Sequence, residues 1–347
     1  MRKRVFSLIC FLILVSICLI GCGEKQVSYV DTGMEQIQNL DYDGALGSFD
    51  QAENAGESER LILRGRGIAY LAKADYSASI DCFTQALEAS SGIPENMDYD
   101  INYYLATAYY KSGQVDQAIQ VYNAILALRP KEESAYYLRG CAFLAKNDSK
   151  SALEDFEQAI ALDEKDYEQI IRIYQVLSQN GYAAAGQEIL TRIVDERTDI
   201  DDYDRGRLCY CTGDYPQAKE ALEKANMTPS AGTALYLGKT YEAMGDYNYA
   251  IDTYRTYLDT DSEQPVLYNQ MGLCQMKMEK YDDALASFQN AMNMEGTEIM
   301  QTLKFNEIVA YEHIGDFQTA ATLMNAYLKT YPDDAQAARE YEFLKTR

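Results

Sequence analysis

Residues 272–291, GLCQMKMEKYDDALASFQNA, hold the pattern that decides the fold. Gly272 is followed after twelve residues by Ala284, and then at steps of four and three by Phe288 and Ala291. Steps of three and four place residues on one face of a helix, because a helix turns every 3.6 residues. The segment therefore predicts two helices joined by a turn, with small residues where the two touch.

The second half of this pattern occurs nine times, as a small residue, a large apolar residue and a third member. The copies are Ala45-Phe49-Ala52, Ser79-Phe83-Ala86, Ala118-Tyr122-Ile125, Ala152-Phe156-Ala159, Gly186-Leu190-Ile193, Ala218-Leu222-Ala225, Ala250-Tyr254-Tyr257, Ala284-Phe288-Ala291 and Ala320-Met324-Tyr327. Their first members are 34, 39, 34, 34, 32, 32, 34 and 36 residues apart. A fixed period of this length indicates an array of repeated hairpins.

A small residue precedes most copies by twelve positions, namely Gly33, Gly67, Ala106, Gly140, Gly206, Gly238 and Gly272, with Tyr174 and Ile308 as exceptions. Glycine inside a helix costs up to about 1 kcal/mol relative to alanine, so these positions need a close approach between helices to justify them. The chain has only six prolines, all of which fall between predicted helices or at a helix start.

This pattern resembles the tetratricopeptide repeat over about residues 26–334, with Pro130 and Pro332 at the closing-turn position. The resemblance implies an all-α, right-handed α-solenoid of about nine helical hairpins, spanning residues 29–334, and residues 335–347 as a capping helix. Tyr174 and Gly186 depart from the pattern, so we expect altered packing in the fifth hairpin. The 39-residue step predicts a loop at residues 91–99.

The N-terminus has Arg2, Lys3 and Arg4 before an apolar run at residues 5–20, which suits a signal peptide. The following Leu19-Ile20-Gly21-Cys22 resembles the lipobox of bacterial lipoproteins. This implies that residues 1–21 are removed, that Cys22 carries acyl chains, and that residues 22–28 form a lipidated tether. The expected location is the extracytoplasmic face of the cell membrane or the periplasm. The alternative is an uncleaved anchor with a cytosolic domain.

The net charge of −23 excludes nucleic acid as the expected partner, because binding there depends on neutralising phosphates with Lys and Arg. It also disfavours wide contact with anionic lipid headgroups, so contact with a membrane would depend on the lipid anchor.

In the resembling family, the first helix of each hairpin lines a concave groove. Its groove positions correspond here to Tyr103, Tyr110, Lys111, Tyr137, Tyr203, Arg207, Tyr210, Lys239, Asn269 and Lys277. Tyr and Arg are frequent anchors of protein interfaces, and the four basic residues would make the groove locally less negative. A protein or peptide ligand is therefore expected there. The alternative is that some of these residues only pack between helices. The Lys-Asn-Asn-Lys-Arg carboxylate clamp of the chaperone-binding members is absent from the pattern.

The sequence offers no constellation for catalysis. His313 is the only histidine, and a single histidine cannot build a His-based metal site. The five cysteines after Cys22 show no paired spacing and are interpreted as free thiols. We therefore expect no enzyme activity, cofactor or metal.

The expected function is a lipid-anchored scaffold or adaptor for protein interactions. Two alternatives stay open: an assembly factor for envelope machinery such as cell wall, secretion or pilus systems, and a glycan or small-molecule binder that uses the Tyr-lined groove.

Overall fold

Helices form all the regular secondary structure of the described residues. The structure, a computed structural model, describes residues 28–90, 92–294 and 296–347, and contains no strand within those ranges. The predicted all-α array of hairpins is confirmed. Cys22 and the predicted signal peptide lie outside the described residues.

The helices fall into two compact units. The first unit, which ends at Glu164, contains α1 (Tyr29–Gln38), α2 (Tyr42–Asn54), α3 (Glu59–Ala72), α4 (Tyr76–Glu88), α5 (Asn96–Lys111), α6 (Val115–Leu128), α7 (Glu133–Ala145) and α8 (Ser149–Leu162). The second unit, from Lys165, contains α9 (Tyr167–Gln179), α10 (Ala183–Glu196), α11 (Asp202–Thr212), α12 (Tyr215–Ala225), α13 (Ala231–Met244), α14 (Tyr247–Leu258), α15 (Pro265–Lys277), α16 (Tyr281–Met292), α17 (Met300–Ile314), α18 (Phe317–Thr330) and α19 (Ala335–Leu344). Within each hairpin an odd-numbered helix is followed by an even-numbered one.

The core of each hairpin is built by the repeated pattern. Its first and second members are buried in all nine copies. The large second member lies against the small residue of the preceding helix, so that a Cβ added to Gly140 would stand 2.6 Å from Cε1 of Phe156. Gly272 stands in the same relation to Phe288, at 2.5 Å. Gly140 and Gly272 are therefore explained by a ring that occupies the space of their missing side chain.

The fifth hairpin exchanges the sizes of the two positions. Tyr174 supplies the large side chain from the first helix, and Gly186 supplies the gap on the second. A Cβ added to Gly186 would lie 3.0 Å from Cδ2 of Tyr174. A large residue still packs against a small one, but here the large residue is on the first helix and the small one is on the second.

The turn inside every hairpin contains one residue with a left-handed backbone. Five of the nine are glycines: Gly113, Gly181, Gly213, Gly245 and Gly315. The other four are Leu40, Ala74, Asn147 and Glu279, with φ between 59° and 61°. The turn geometry is therefore fixed by the two packed helices even where the residue does not favour it.

The loop predicted at residues 91–99 is correct only in part, because the last residues of that range are helical. The structure begins α5 at Asn96, because Glu95 and Asp98 form a reciprocal capping box there, with the Glu95 amide donating to Asp98 Oδ2 at 2.7 Å. Near the C-terminus α19 packs Ala337 and Leu344 into the core of the last hairpin.

Candidate functional site

The predicted groove residues of the first unit lie on α5 and α7. Tyr103 is half-buried, with its ring 6.4 Å from that of Tyr122, and burial raises its pKa. Tyr137 is half-buried against a core aromatic ring at 6.0 Å. Tyr110 and Lys111 are exposed at the end of α5. Tyr103 and Tyr137 thus contribute mainly to packing, while Tyr110 and Lys111 remain open to a ligand.

Arg207 in the second unit is committed to contacts within the protein. It is only 8% exposed, and its guanidinium bonds Glu168 on α9 and Asp204 on its own helix, the latter at 3.2 Å. The rings of Tyr203 and Tyr236 each lie 5.2 Å from its Cζ. Burial acts to lower the pKa of Arg207, but these partners outweigh it and the net shift is upward. Arg207 therefore adds no uncompensated positive charge to the groove.

Three of the predicted residues meet in one cleft of the second unit. Tyr210 on α11, Lys239 on α13 and Lys277 on α15 line a space of about 730 Å³. The cleft is completed by residues that the groove prediction did not include, among them Glu242, Leu273, Glu279, Tyr281, Asn306, Val309 and His313. It is the surface along the odd-numbered helices α11, α13, α15 and α17, where the sequence pattern predicts a ligand. We call this space the cleft.

The charges of the cleft nearly compensate one another. Lys239 and Lys277 stand beside Glu242 and Glu279 on the same lining. Burial raises the pKa of Glu242, which also accepts a hydrogen bond from the hydroxyl of Tyr254. In a chain with a net charge of −23, a near-neutral cleft is less acidic than the average surface. An acidic ligand would meet less repulsion here than elsewhere on this unit.

Asn269 is not part of the open lining. It is 7% exposed, and its side-chain oxygen accepts a hydrogen bond from Asn306 Nδ2 at 2.9 Å. Asn306 itself does line the cleft. The predicted residue therefore holds a neighbouring amide in place.

Tyr281 and His313 form an aromatic pair on the cleft wall, with ring centroids 5.1 Å apart and planes within 18°. The sequence marks Tyr281 only as a residue that follows the turn of its hairpin, and His313 only as the single histidine. Their juxtaposition depends on two successive hairpins, which neither position reveals alone. The pair gives the cleft a flat aromatic surface.

The free thiols are poor candidates for chemistry. Cys82, Cys141, Cys209, Cys211 and Cys274 are all unpaired, and burial raises the pKa of each thiol. A raised pKa keeps the thiol protonated and weakens it as a nucleophile. No group of three or more His, Cys, Asp or Glu residues in the described ranges could hold a metal ion.

A sequence profile described as a tetratricopeptide repeat matches residues 30–94, 64–133, 103–167 and 270–339, which is more than half of the chain. The chain belongs to the tetratricopeptide repeat family. A second profile with the same description matches residues 233–262. The repeats indicate a protein–protein interaction scaffold, which is the part of the predicted function that does not concern the membrane anchor.

The similar proteins are larger than this chain or distant from it. RNA polymerase II-associated protein 3 of Xenopus tropicalis is 25% identical over 250 residues. The match covers 67% of this chain and 35% of that protein. The heat-shock protein cognate co-chaperone sgt12 of Aspergillus fumigatus is 35% identical over 104 residues. The match covers 30% of this chain and 28% of that protein. The chain thus spans about a third of the length of these curated relatives. The crystal structure of yeast Tom70 is similar in fold, with a TM-score of 0.53 at 14% identity, covering 92% of this chain and 87% of that one.

Among the described residues, no helix combines the length and the hydropathy that crossing a bilayer requires.

Proposed function

We propose that this protein is a scaffold held on the extracytoplasmic face of a bacterial membrane by acyl chains on Cys22, and that it binds a segment of a partner protein in the cleft. The observation that carries the proposal is the cleft itself. It gathers two lysines, the Tyr281–His313 pair and apolar residues in one space of the second unit.

The lining suits a peptide segment with both acidic and apolar side chains. Leu273 and Val309 provide apolar contact, and Lys239 and Lys277 provide hydrogen-bond donors. Binding sites commonly combine an apolar lining with a few placed polar groups that fix the orientation of the ligand. Glu242 and Glu279 would discourage a ligand with dense negative charge, so the mixed segment is favoured over a polyanion.

The anchor is supported by the sequence Leu19-Ile20-Gly21-Cys22 at the end of the apolar run. The first helix begins at Tyr29, only a few residues after Cys22. Two or more acyl chains would give stable membrane attachment, whereas a single chain gives marginal binding.

Site-specific photocrosslinking in the native membrane tests the cleft. A benzophenone amino acid at Lys277 should give a defined adduct, and the same probe at Tyr249, which is 63% exposed on α14 and does not line the cleft, should give none. Lys239→Glu should reduce the Lys277 adduct several-fold, whereas Lys224→Glu, an exposed lysine on α12, should not. Equal adducts from Lys277 and Tyr249, or no effect of Lys239→Glu, would contradict the cleft as the binding site.

Glycan binding is the competing outcome for the same cleft. Soluble sugars that saturably change Tyr fluorescence, where peptides do not, would replace the protein ligand by a carbohydrate. The anchor is tested separately by Cys22→Ala, which should release the protein from membranes, and by mass spectrometry of the N-terminal peptide, which should show acylation at Cys22.

A further inference from the structure

One edge of the first unit is connected by side-chain contacts from the start of α1 to the end of α6. Glu57, in the connection between α2 and α3, accepts a hydrogen bond from the first amide of α1 at 2.8 Å. Three residues later, Arg60 reaches Glu95 before α5, with Nη1 to Oε2 at 3.6 Å. Arg129, after α6, donates to Asn96 at the start of α5 at 2.8 Å. The two helices of each hairpin run antiparallel, so the starts of α1, α3, α5 and α7 and the ends of α2, α4, α6 and α8 lie on one edge, which we call the N-terminal edge.

Most of the exposed apolar side chains of this unit lie on that edge. Six large hydrophobic residues are exposed in the described part of residues 28–164, and four of them belong to the N-terminal edge: Tyr29, Ile93, Leu128 and Leu162. Ile93 is 75% exposed before the start of α5, and Leu128 is 60% exposed at the end of α6. Leu128 also borders an apolar notch of about 290 Å³ that Leu87 and Pro94 help to line. Exposed apolar groups gathered on one surface indicate a contact partner.

We propose that the N-terminal edge lies against the lipid bilayer, with Ile93 and Leu128 inserted among the headgroups. This inference rests on the proposed acyl anchor at Cys22. The edge that carries the apolar residues is the edge from which the anchored chain departs, since Ser28 precedes α1 there. The protein would thus contact the membrane through the acyl chains and also through these side chains.

The length of the tether favours the bilayer over a protein partner. Residues 22–27 reach at most about 20 Å when fully extended. The first helices of successive hairpins pack roughly 10 Å apart, so the loop of Ile93 lies about 20 Å along the edge from α1. The tether therefore keeps the start of this edge within about 20 Å of the bilayer surface.

The charge of the edge indicates how it would bind. Arg60 and Arg129 are both engaged with partners on the protein, and the chain as a whole is acidic. Attraction to anionic headgroups therefore contributes little, and the contact depends on apolar insertion. Raising the ionic strength should not weaken it, since salt screens the repulsion between like charges and does not weaken apolar burial.

Tryptophan fluorescence tests the proposal, because the chain contains no Trp of its own. Ile93→Trp and Leu128→Trp are made in the full-length acylated protein and reconstituted in vesicles of phosphatidylethanolamine and phosphatidylglycerol with brominated acyl chains. Leu40→Trp is the matched control, since Leu40 is 72% exposed but lies in the turn at the opposite edge. Circular dichroism confirms that each variant is folded.

The expected result is a blue-shifted emission and quenching by bromine for Ile93→Trp and Leu128→Trp, at low and high salt, with neither change for Leu40→Trp. Water-like, unquenched emission from Ile93→Trp on vesicle-bound protein overturns the inference and leaves the anchor standing. Quenching of all three variants also overturns it, because no edge would then be selected. Failure of the acylated protein to float with vesicles overturns the anchor and this inference together.

Discussion

Replacing Ala74 by glycine should stabilise the second hairpin, although it removes a methyl group and adds no contact. Ala74 is exposed in the turn between α3 and α4 and has a φ of 60°. A left-handed backbone costs an L-residue other than glycine roughly 1–2 kcal/mol. Glycine removes that cost but loses about 0.5–1 kcal/mol through the larger freedom of its unfolded chain. The net expectation is a gain of about 0.5–1 kcal/mol.

The matched control is Gly113→Ala at the same place in the third hairpin. Gly113 has a φ of 82°, and an added Cβ there would meet nothing within 4 Å, so the same backbone strain and the same offset from the unfolded chain apply with opposite sign. We expect a loss of about 0.5–1 kcal/mol.

Hydrogen exchange read by mass spectrometry on α3 and α4 is the suitable assay for Ala74→Gly, with α5 and α6 for the control, because repeat arrays can unfold in parts. The reasoning would be refuted if Ala74→Gly accelerated exchange in its hairpin, or if Gly113→Ala left exchange unchanged.

Three further changes have expected outcomes. Gly140→Ala should destabilise α7 and α8 by about 1–3 kcal/mol despite the better helix propensity of alanine, because its Cβ would overlap the ring of Phe156; urea unfolding measures this. Burial beside Glu340 raises the pKa of Glu312 to about 7, against an unfolded value of 4.5, so its carboxylate should reduce stability increasingly as the pH rises from 4.5 to 7. Glu312→Gln should therefore raise the free energy of unfolding above pH 7 by about 1–2 kcal/mol after allowance for solvent screening, measured as a higher melting temperature, and have little effect below pH 4.5. Hydrogen bonds from the α1 amides lower the pKa of Glu57, so Glu57→Gln should speed exchange at the start of α1, with the difference disappearing as acid protonates the wild-type carboxyl.

The hairpins could be predicted because each one is specified by short-range spacing. Gly140 and Phe156 lie sixteen residues apart, and their fit depends only on two adjacent helices and one turn. The reversal in the fifth hairpin was visible as an exception at Tyr174, but its result was not, since altered packing and exchanged roles fit the same sequence. The structure shows the exchange because Tyr174 fills the gap above Gly186.

The site was harder to predict because its electrostatics involve separate hairpins. Arg207 occupies a groove position by spacing, but its charge is compensated by Glu168, which lies 39 residues earlier on another helix. Residue type also gave no signal for the left-handed turn at Glu279, whose side chain lines the cleft. The repeat period shows which residues share a face of the array. It does not show which of them form ion pairs or hydrogen bonds, because that depends on the directions of side chains in different repeats.

The separation of core and cleft within one helix explains why family membership does not identify the ligand. On α15, Gly272 faces the ring of Phe288 and maintains the hairpin, while Lys277 at the end of the same helix is exposed in the cleft. A change at Gly272 alters the packing of every neighbour it touches. A change at Lys277 alters only what the cleft can bind. The repeat pattern is therefore fixed by the first kind of position, and specificity resides in the second. It follows that a charge reversal at Lys277 should change binding while leaving the free energy of unfolding within about 0.5 kcal/mol of that of the unaltered protein, as expected for an exposed position; a large loss of stability would show that the cleft and the core are not separable.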